Sequence, residues 1–467
     1  MLKHDVWFAT AEELAPEIRA RRLSPVELTQ GFLDRIQQMN ARFNAFEKPT
    51  PELALEQAQR AESEIKGNKY RGPLHGIPYA AKDLFDTKDV PTAWGTKFLR
   101  DRVPTQSATV VERLEAAGAV LLGKTAMVEF AGCLGYRYAS ASASGPGRNP
   151  WDVSRWTGGS SSGSGAAVAA GLATFALGTE TWGSILCPSA FCGLTGIRPT
   201  YGLVSRAGGM VGAYTFDKVG PLTRSVGDCR LVLTTIAGAD ARDPSCVTER
   251  VRMDAGRGRP LKQLRAALVP LDWSKVGEPE VKAAFEAAVA ELRAAGLQME
   301  TAELPAVPAS EVSGLLISVE ALAAFEPFLN DGRVKQLVDD MAPRQRELAE
   351  PITGADTMKA MRIRESVQRT MRDFLDRYDV IVTPNFMSVA PPVDQDLNVA
   401  LPYGDPVGGL AAACGLPGLA LPAGFGKAGM PAGFQIVGSP FDEATLFDLG
   451  ALYQSRTNFH RQHPALA

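Results

Sequence analysis

The chain has 467 residues, 45% of them hydrophobic and 22% charged, with a formal net charge of −3. Such a balance belongs to a globular protein with a sizeable core, and it argues against a nucleic-acid binder that works through a basic face. Six cysteines (Cys133, Cys187, Cys192, Cys229, Cys246 and Cys414) form no CxxC pair. They therefore indicate neither a disulfide scaffold nor a zinc knuckle, and they read as buried thiols in a cytoplasmic protein.

Met1-Leu2-Lys3-His4-Asp5 leads into an amphipathic helix rather than an apolar signal segment. Residues 10–66 read as helical. Ser24-Pro25-Val26-Glu27 is a capping box with proline at the first helical position, and Leu28, Phe32, Leu33 and Ile36 follow at helical spacing. A second helix is expected from about Pro51 to Lys66. Gly72 to Pro78 breaks the pattern, and Tyr79-Ala80-Ala81 is a short apolar approach to Lys82-Asp83. Residues 106–117 read as helix and Ala119–Gly123 as strand. Ala131 to Trp156 is rich in Gly, Ser, Ala and Pro and reads as loop.

The stretch Gly158 to Pro188 carries two serine sites flanked by glycine. Glycine permits close backbone approach, which suits the presentation of hydroxyls and bare N–H groups to a reacting carbonyl. A Gly/Ser cluster is commonly a linker, but this one runs straight into Ala166-Ala167-Val168-Ala169-Ala170, a helix-forming segment. The apolar run Ala166 to Leu177 is broken by Gly171 and too short to span a bilayer. Pro199 to Gly220 again reads as loop. Beyond it helix and strand alternate: helix Cys229–Ala237, strand Ala266–Pro270, helix Glu278–Ala295, strand Leu297–Leu304, mostly helix over Val312–Glu350, and helix Thr357–Asp376. Strands Val380–Pro384, Gly415–Gly424 and Ala432–Val437 and a last helix Asp442–Arg456 complete the chain. The alternation predicts an α/β layered fold with a mixed sheet in one domain.

Four nucleophile or nucleotide schemes are open on these residues. Gly159-Ser160-Ser161-Ser162-Gly163 satisfies G-x-S-x-G, with His460 or His463 as partner. That elbow must follow a buried strand, however, and Arg148 to Arg155 is polar and irregular. Cys187 as nucleophile would need a histidine, and only His75 is internal. Gly118 to Thr125 fits the P-loop pattern, but its variable residues, Ala119-Val120-Leu121-Leu122, read as a strand. The fourth scheme uses a lysine made basic by burial. Lys82 lies between Tyr79-Ala80-Ala81 and Leu84-Phe85, and Lys124 is its rival.

Taken together, the motifs resemble the amidase signature family over nearly the whole chain. They are Gly76-Ile77-Pro78 with Lys82-Asp83; Gly123-Lys124-Thr125 with Met127 and Glu129-Phe130; the Gly158–Ser164 cluster; Gly178-Thr179-Glu180 with Gly183-Ser184-Ile185; Gly196 to Thr200; Asp217 to Pro221; Asp379 to Pro384; Gly415-Leu416-Pro417; and Gly429 to Gln435. The resemblance implies one large domain, 1–467, with a mixed twisted sheet covered by helices on both faces. N-terminal helices would occupy about 10–66, a catalytic core about 70–230, and a C-terminal part about 260–467 that completes the sheet.

The resemblance also implies a Ser-cisSer-Lys triad: Lys82 as base, Ser160 as bridging serine after a cis bond, and Ser184 as nucleophile. The oxyanion would be held by the N–H groups of Thr181, Trp182, Gly183 and Ser184, while Ser161 and Ser162 would support the loop backbone. Substrate contacts fall on Gly132, Cys133, Tyr136, Met210 and Tyr214. No cofactor, metal, nucleic acid or membrane is implied, and a homodimer is left open. The family's activities span amides, anilides, carbamates and esters, and they include the transamidating component, the A subunit, of glutamyl-tRNA amidotransferase. The loops Ala131 to Gly147 and Tyr201 to Phe216 are mainly apolar and predict neutral, hydrophobic substrates. Two departures stand out. Trp182 replaces the family's usual glycine. Leu186 replaces its usual arginine, which leaves Glu180 to be paired by Arg198 or Arg155.

Overall fold

The computed structural model describes residues 4–247, 253, 260–274, 278–401 and 404–466. Its strands, in chain order, are β1 (Phe46–Pro49), β2 (Pro78–Lys82), β3 (Val120–Thr125), β4 (Arg148–Asn149), β5 (Asp152–Trp156), β6 (Phe175–Glu180), β7 (Thr195–Arg198) and β8 (Lys218–Thr223). They continue with β9 (Arg265–Leu268), β10 (Gln298–Thr301), β11 (Val380–Pro384), β12 (Gly418–Phe425) and β13 (Pro431–Gly438). Eleven form one sheet in the order β1-β3-β2-β6-β8-β7-β12-β13-β11-β9-β10, and β4 pairs with β5 in a separate hairpin. β3, β2 and β6 run parallel to one another, as do β11, β9 and β10, while the strands between them are antiparallel. The large α/β domain with a mixed sheet is thus as the sequence predicts.

Strands β2, β3, β6, β7, β8, β11 and β13 are buried at every residue. A strand covered on both faces loses the apolar–polar alternation that marks a half-buried one. Three of them therefore carry no clear strand signal in the sequence. β2 looks like an apolar approach, β6 like the tail of an apolar run, and the start of β8 like glycine-rich loop. Two other expectations are corrected. The stretch 10–66 contains the edge strand β1 between its helices Pro25–Phe43 and Pro51–Lys66. The stretch Ala131 to Trp156 contains the β4–β5 hairpin, held by an antiparallel pairing of Arg148 with Trp156.

Of the capping box expected at Ser24 only the serine's half forms, and the Ser24 hydroxyl itself donates to Glu62. Ser24 accepts from the Glu27 N–H at 3.2 Å, and Leu28, Phe32, Leu33 and Ile36 turn inward. Among the described residues, no helix is long and apolar enough to cross a membrane. The sheet's consequence for chemistry is that the parallel strands β2 and β6 end side by side. Lys82 closes the first of them and Thr179-Glu180 the second. The carboxyl ends of parallel strands are where open α/β sheets place their ligands.

Candidate active site

The helix Ser162–Ala169 starts over these strand ends, and all its residues are buried. Gly163 makes that approach possible, because a Cβ there would lie 2.2 Å from the Ala45 carbonyl oxygen. Its N–H donates to the Ala126 carbonyl at 2.9 Å. The neighbouring serines are sorted by their bonds. Ser161 Oγ donates to the Thr179 carbonyl at 3.3 Å and Ser164 Oγ to the Leu177 carbonyl at 3.0 Å, so both fasten the helix to β6. Ser162 Oγ reaches the Ala126 carbonyl at 3.5 Å.

Ser160 differs from these. The Gly159–Ser160 peptide is cis, and Ser160 Oγ accepts from Lys82 Nζ at 2.7 Å. Lys82 Nζ also reaches Thr179 Oγ1 at 3.0 Å, and its side chain has no exposure to solvent. Burial pushes the ammonium down to about 7, against the opposing pull of Cys133, Asp217 and Glu180. A lysine so placed is half neutral near neutral pH. Ser184 joins the group through its backbone, because its carbonyl accepts from the Ser161 N–H at 3.3 Å. The residue keeps 8% exposure, two positions from the exposed Trp182.

The four residues Thr181 to Ser184 stand free of regular secondary structure. Among the described residues their N–H groups meet no protein acceptor, whereas the next two do. Ile185 and Leu186 donate to Glu180 Oε2 at 2.8 and 2.9 Å. Gly183, at φ 87°, has nothing within 4 Å of where a Cβ would project. The loop's N–H groups are thus without protein partners among the described residues, and the space on the Cβ side of Gly183 is open. The Trp182 indole does not fill that space. It is 37% exposed, and its Nε1 lies against Gly408, 2.3 Å from where a Cβ would stand.

Glu180 is paired by Arg198, whose Nη1 lies 2.7 Å from Oε1. Burial alone would raise the Glu180 carboxyl, but Arg198 and the two N–H donors outweigh it and hold the group below its usual range. Arg155 instead donates to the Ala390 carbonyl at 2.6 Å. Leu186 packs beside Gly418, which also abuts the Arg198 guanidinium. The charge that the usual arginine would bring from position 186 comes here from β7. Arg198→Met should therefore cost about 3–5 kcal/mol, because it strands a buried carboxylate. Arg155→Met, whose ion pair with Asp152 at 3.4 Å is partly exposed, should cost far less. Urea denaturation of the two variants compares them directly, and equal losses would refute the assignment.

The rival schemes do not assemble. Cys187 is buried, its thiol pushed up to about 12 by burial. His75 is committed to the N-terminal region, with Nδ1 accepting from the Arg71 N–H at 3.1 Å and Nε2 lying 3.1 Å from Glu64. His463 stacks on Phe8 at 3.8 Å, and burial pushes His460 down to about 4. Lys124 sits inside β3, donating to the Phe85 carbonyl at 2.6 Å and Thr92 Oγ1 at 2.8 Å, so no phosphate-cradling loop exists there.

The substrate-side residues divide. Cys133 is buried near Lys82 and against Gly212, and Met210 is buried with its N–H on the Leu84 carbonyl at 3.0 Å. Gly132 lies under the Tyr136 ring, which packs edge-on to Trp156 at 6.1 Å. Tyr214 is 53% exposed beneath the Arg206 guanidinium. Of the other apolar residues in the two loops, Leu134, Leu203 and Phe216 go to the core. One further neighbour has no signal in the sequence. Asp405, adjacent to Gly408 and the Trp182 indole, accepts from Gln435 Nε2 at 2.5 Å, and burial pushes its carboxyl up to about 6. Nothing in its local sequence, Gly404-Asp405-Pro406, separates it from a turn aspartate.

A family model described as Amidase matches residues 27–447. Over 494 residues, spanning 99% of each chain, this chain is 36% identical to the A subunit of the glutamyl-tRNA(Gln) amidotransferase of Moorella thermoacetica. Among solved structures, the native peptide amidase from Stenotrophomonas maltophilia superposes with a TM-score of 0.83 at 31% identity, covering 96% of this chain and 97% of that one. A protein from a vestigial complex bearing on the origins of an s-triazine catabolic enzyme gives a TM-score of 0.86 at 28% identity, covering 96% of this chain and 98% of that one.

Proposed function

The chain belongs to the amidase family and is an enzyme acting on carbon–nitrogen bonds, and on that premise we propose that it hydrolyses amides by acyl transfer through Ser184, Ser160 and Lys82. The observation that carries this reading is the 2.7 Å contact between Ser160 Oγ and the fully buried Lys82 amine. Neutral Lys82 takes the Ser160 proton as Ser160 takes that of Ser184. Ser184 Oγ bonds to the carbonyl carbon, and the carbonyl electron pair moves onto oxygen. That oxygen lies among the N–H groups of the Thr181–Ser184 loop, which are fixed before the charge arrives. Collapse restores the carbonyl and breaks the carbon–nitrogen bond, and the amine leaves with a proton from Ser160, which Lys82 replaces. Water then gives its proton to the same relay and attacks the acyl carbon, releasing the acid and Ser184.

For substrate, we read a neutral, mostly hydrophobic amide or anilide, with carbamates and esters as chemical neighbours. Cys133, Tyr136 and Met210 support an apolar wall, and burying an unpaired charge there would cost several kcal/mol. A panel of a neutral anilide, a matched ester, an aryl carbamate and glutamine tests this on the purified chain. The anilide is expected to exceed glutamine in kcat/KM by about tenfold or more, the cost of one poorly accommodated polar group. A higher value for glutamine would overturn the substrate reading and leave the acyl-transfer chemistry standing.

The second reading is the A subunit of a glutamyl-tRNA amidotransferase. It is supported by 36% identity to one such protein over 99% of both chains. Under it, the isolated chain would hydrolyse simple amides poorly and would co-purify with the other components of that complex.

A further inference from the structure

Lys218 is a buried lysine that the proposed chemistry does not use. It opens β8 opposite Glu180, and it is 2% exposed. Its Nζ donates to two backbone carbonyls, those of Phe216 and, at 3.3 Å, Thr181. Thr181 is the first residue of the loop that carries the unpaired N–H groups. Its hydroxyl is also held, donating to the Asp217 carboxylate. Asp217 in turn accepts from the Gly212 and Ala213 N–H groups at 2.9 and 3.0 Å. Both the carbonyl and the side chain of Thr181 are thus anchored.

A peptide unit is planar and trans, so its C=O and N–H point in opposite directions. With the Thr181 carbonyl turned to Lys218, the N–H of Trp182 must point the other way. The following residue, Gly183 at φ 87°, has open space around it and offers no side-chain resistance to rotation of the loop.

We propose that Lys218 is a positioning residue that holds the Thr181 carbonyl and thereby aims the Trp182 N–H at the developing oxyanion. The proposal rests on the acyl-transfer reading above. Arg198, Glu180, Asp217 and Arg364 are the charged groups that act on Lys218. Burial pushes it down to about 7, but the bond survives titration, since an amine donates an N–H as an ammonium does.

The test compares Lys218→Met, which removes the donor, with Lys218→Gln, which keeps an N–H donor and removes the charge. The readouts are kcat and KM for an amide, and the affinity of a trifluoromethyl ketone that forms a tetrahedral adduct with the serine. In Lys218→Met, kcat should fall about 10- to 100-fold with little change in KM, somewhat less than deletion of an oxyanion donor. Adduct affinity should fall by the same factor. Lys218→Gln should retain kcat within about threefold. Wild-type kcat in Lys218→Met, or a loss confined to KM, or a loss in kcat without a matching loss in adduct affinity, would overturn the proposal. So would a folded Lys218→Gln that loses about tenfold or more in kcat, which decides the matter even if the methionine variant does not fold. Failure of a fluorophosphonate to label Ser184 in the wild-type enzyme would instead remove the acyl-transfer reading, and this proposal with it.

Discussion

Ser184→Ala is expected to abolish turnover, lowering kcat by roughly 10⁵- to 10⁶-fold, the scale on which serine hydrolases lose activity with their nucleophile. The substitution deletes one oxygen from a residue with 8% exposure and leaves the backbone bond from Ser161 in place. The fold should therefore persist, with an unchanged thermal midpoint. A serine-directed fluorophosphonate should label wild-type Ser184 and fail on the variant. Ser161, Ser162 and Ser164 have their hydroxyls turned to the carbonyls of Thr179, Ala126 and Leu177, so mass spectrometry that located the label on one of them would defeat the assignment. Thiol alkylation should leave activity intact, because Cys133 and Cys187 are buried and protonated. Loss of activity in proportion to Cys187 modification would revive the thiol scheme.

How much of this site is legible in the sequence depends on how each residue is held. Lys82 stands out as an unusual lysine because its immediate neighbours, Tyr79-Ala80-Ala81 and Leu84-Phe85, are apolar. That burial is local information. Lys124 has the same local look and a different fate, since its partners Phe85 and Thr92 come from a loop far from it in sequence. Only the family resemblance separates the two lysines. The pairing of Glu180 stays open between Arg198 and Arg155 for the same reason. Which guanidinium arrives is decided by the order of β6, β8 and β7 in the sheet, and these fully buried strands do not alternate. Helices are easier, because their 3.6-residue stripe and their caps lie within a few residues. Strand β11, Val380–Pro384, has the bounds its sequence predicts, because its first four residues are all β-branched. Strand β2, built around Ala80-Ala81, carries no such signature. Asp405 and Lys218 are not legible as site neighbours, because each reaches the loop Thr181–Ser184 across a long stretch of chain.

The pH dependence of the reaction should carry a single acidic limb near pH 7, set by Lys82. In the proposed relay the base works in its neutral form, and burial pushes the Lys82 ammonium down to about 7. Below that value the protonated fraction dominates, and kcat/KM should fall about tenfold per pH unit. Above it the rate should level off, whereas an ordinary lysine, titrating near about 10.4, would keep the rate rising into alkaline solution. Lys82→Ala should remove the limb together with most of the rate, because the Ser160 hydroxyl loses the acceptor for its proton. A loss of roughly 10²- to 10⁴-fold is expected for a general base of this kind. Lys218 is pushed down to about 7 as well, so the limb alone does not identify its owner. Lys218→Gln separates the two, since it should keep the limb that Lys82→Ala loses. A pH–rate profile in which Lys82→Ala retains the wild-type limb, or Lys218→Gln abolishes it, would transfer the titration from Lys82 to another group and remove Lys82 as the base.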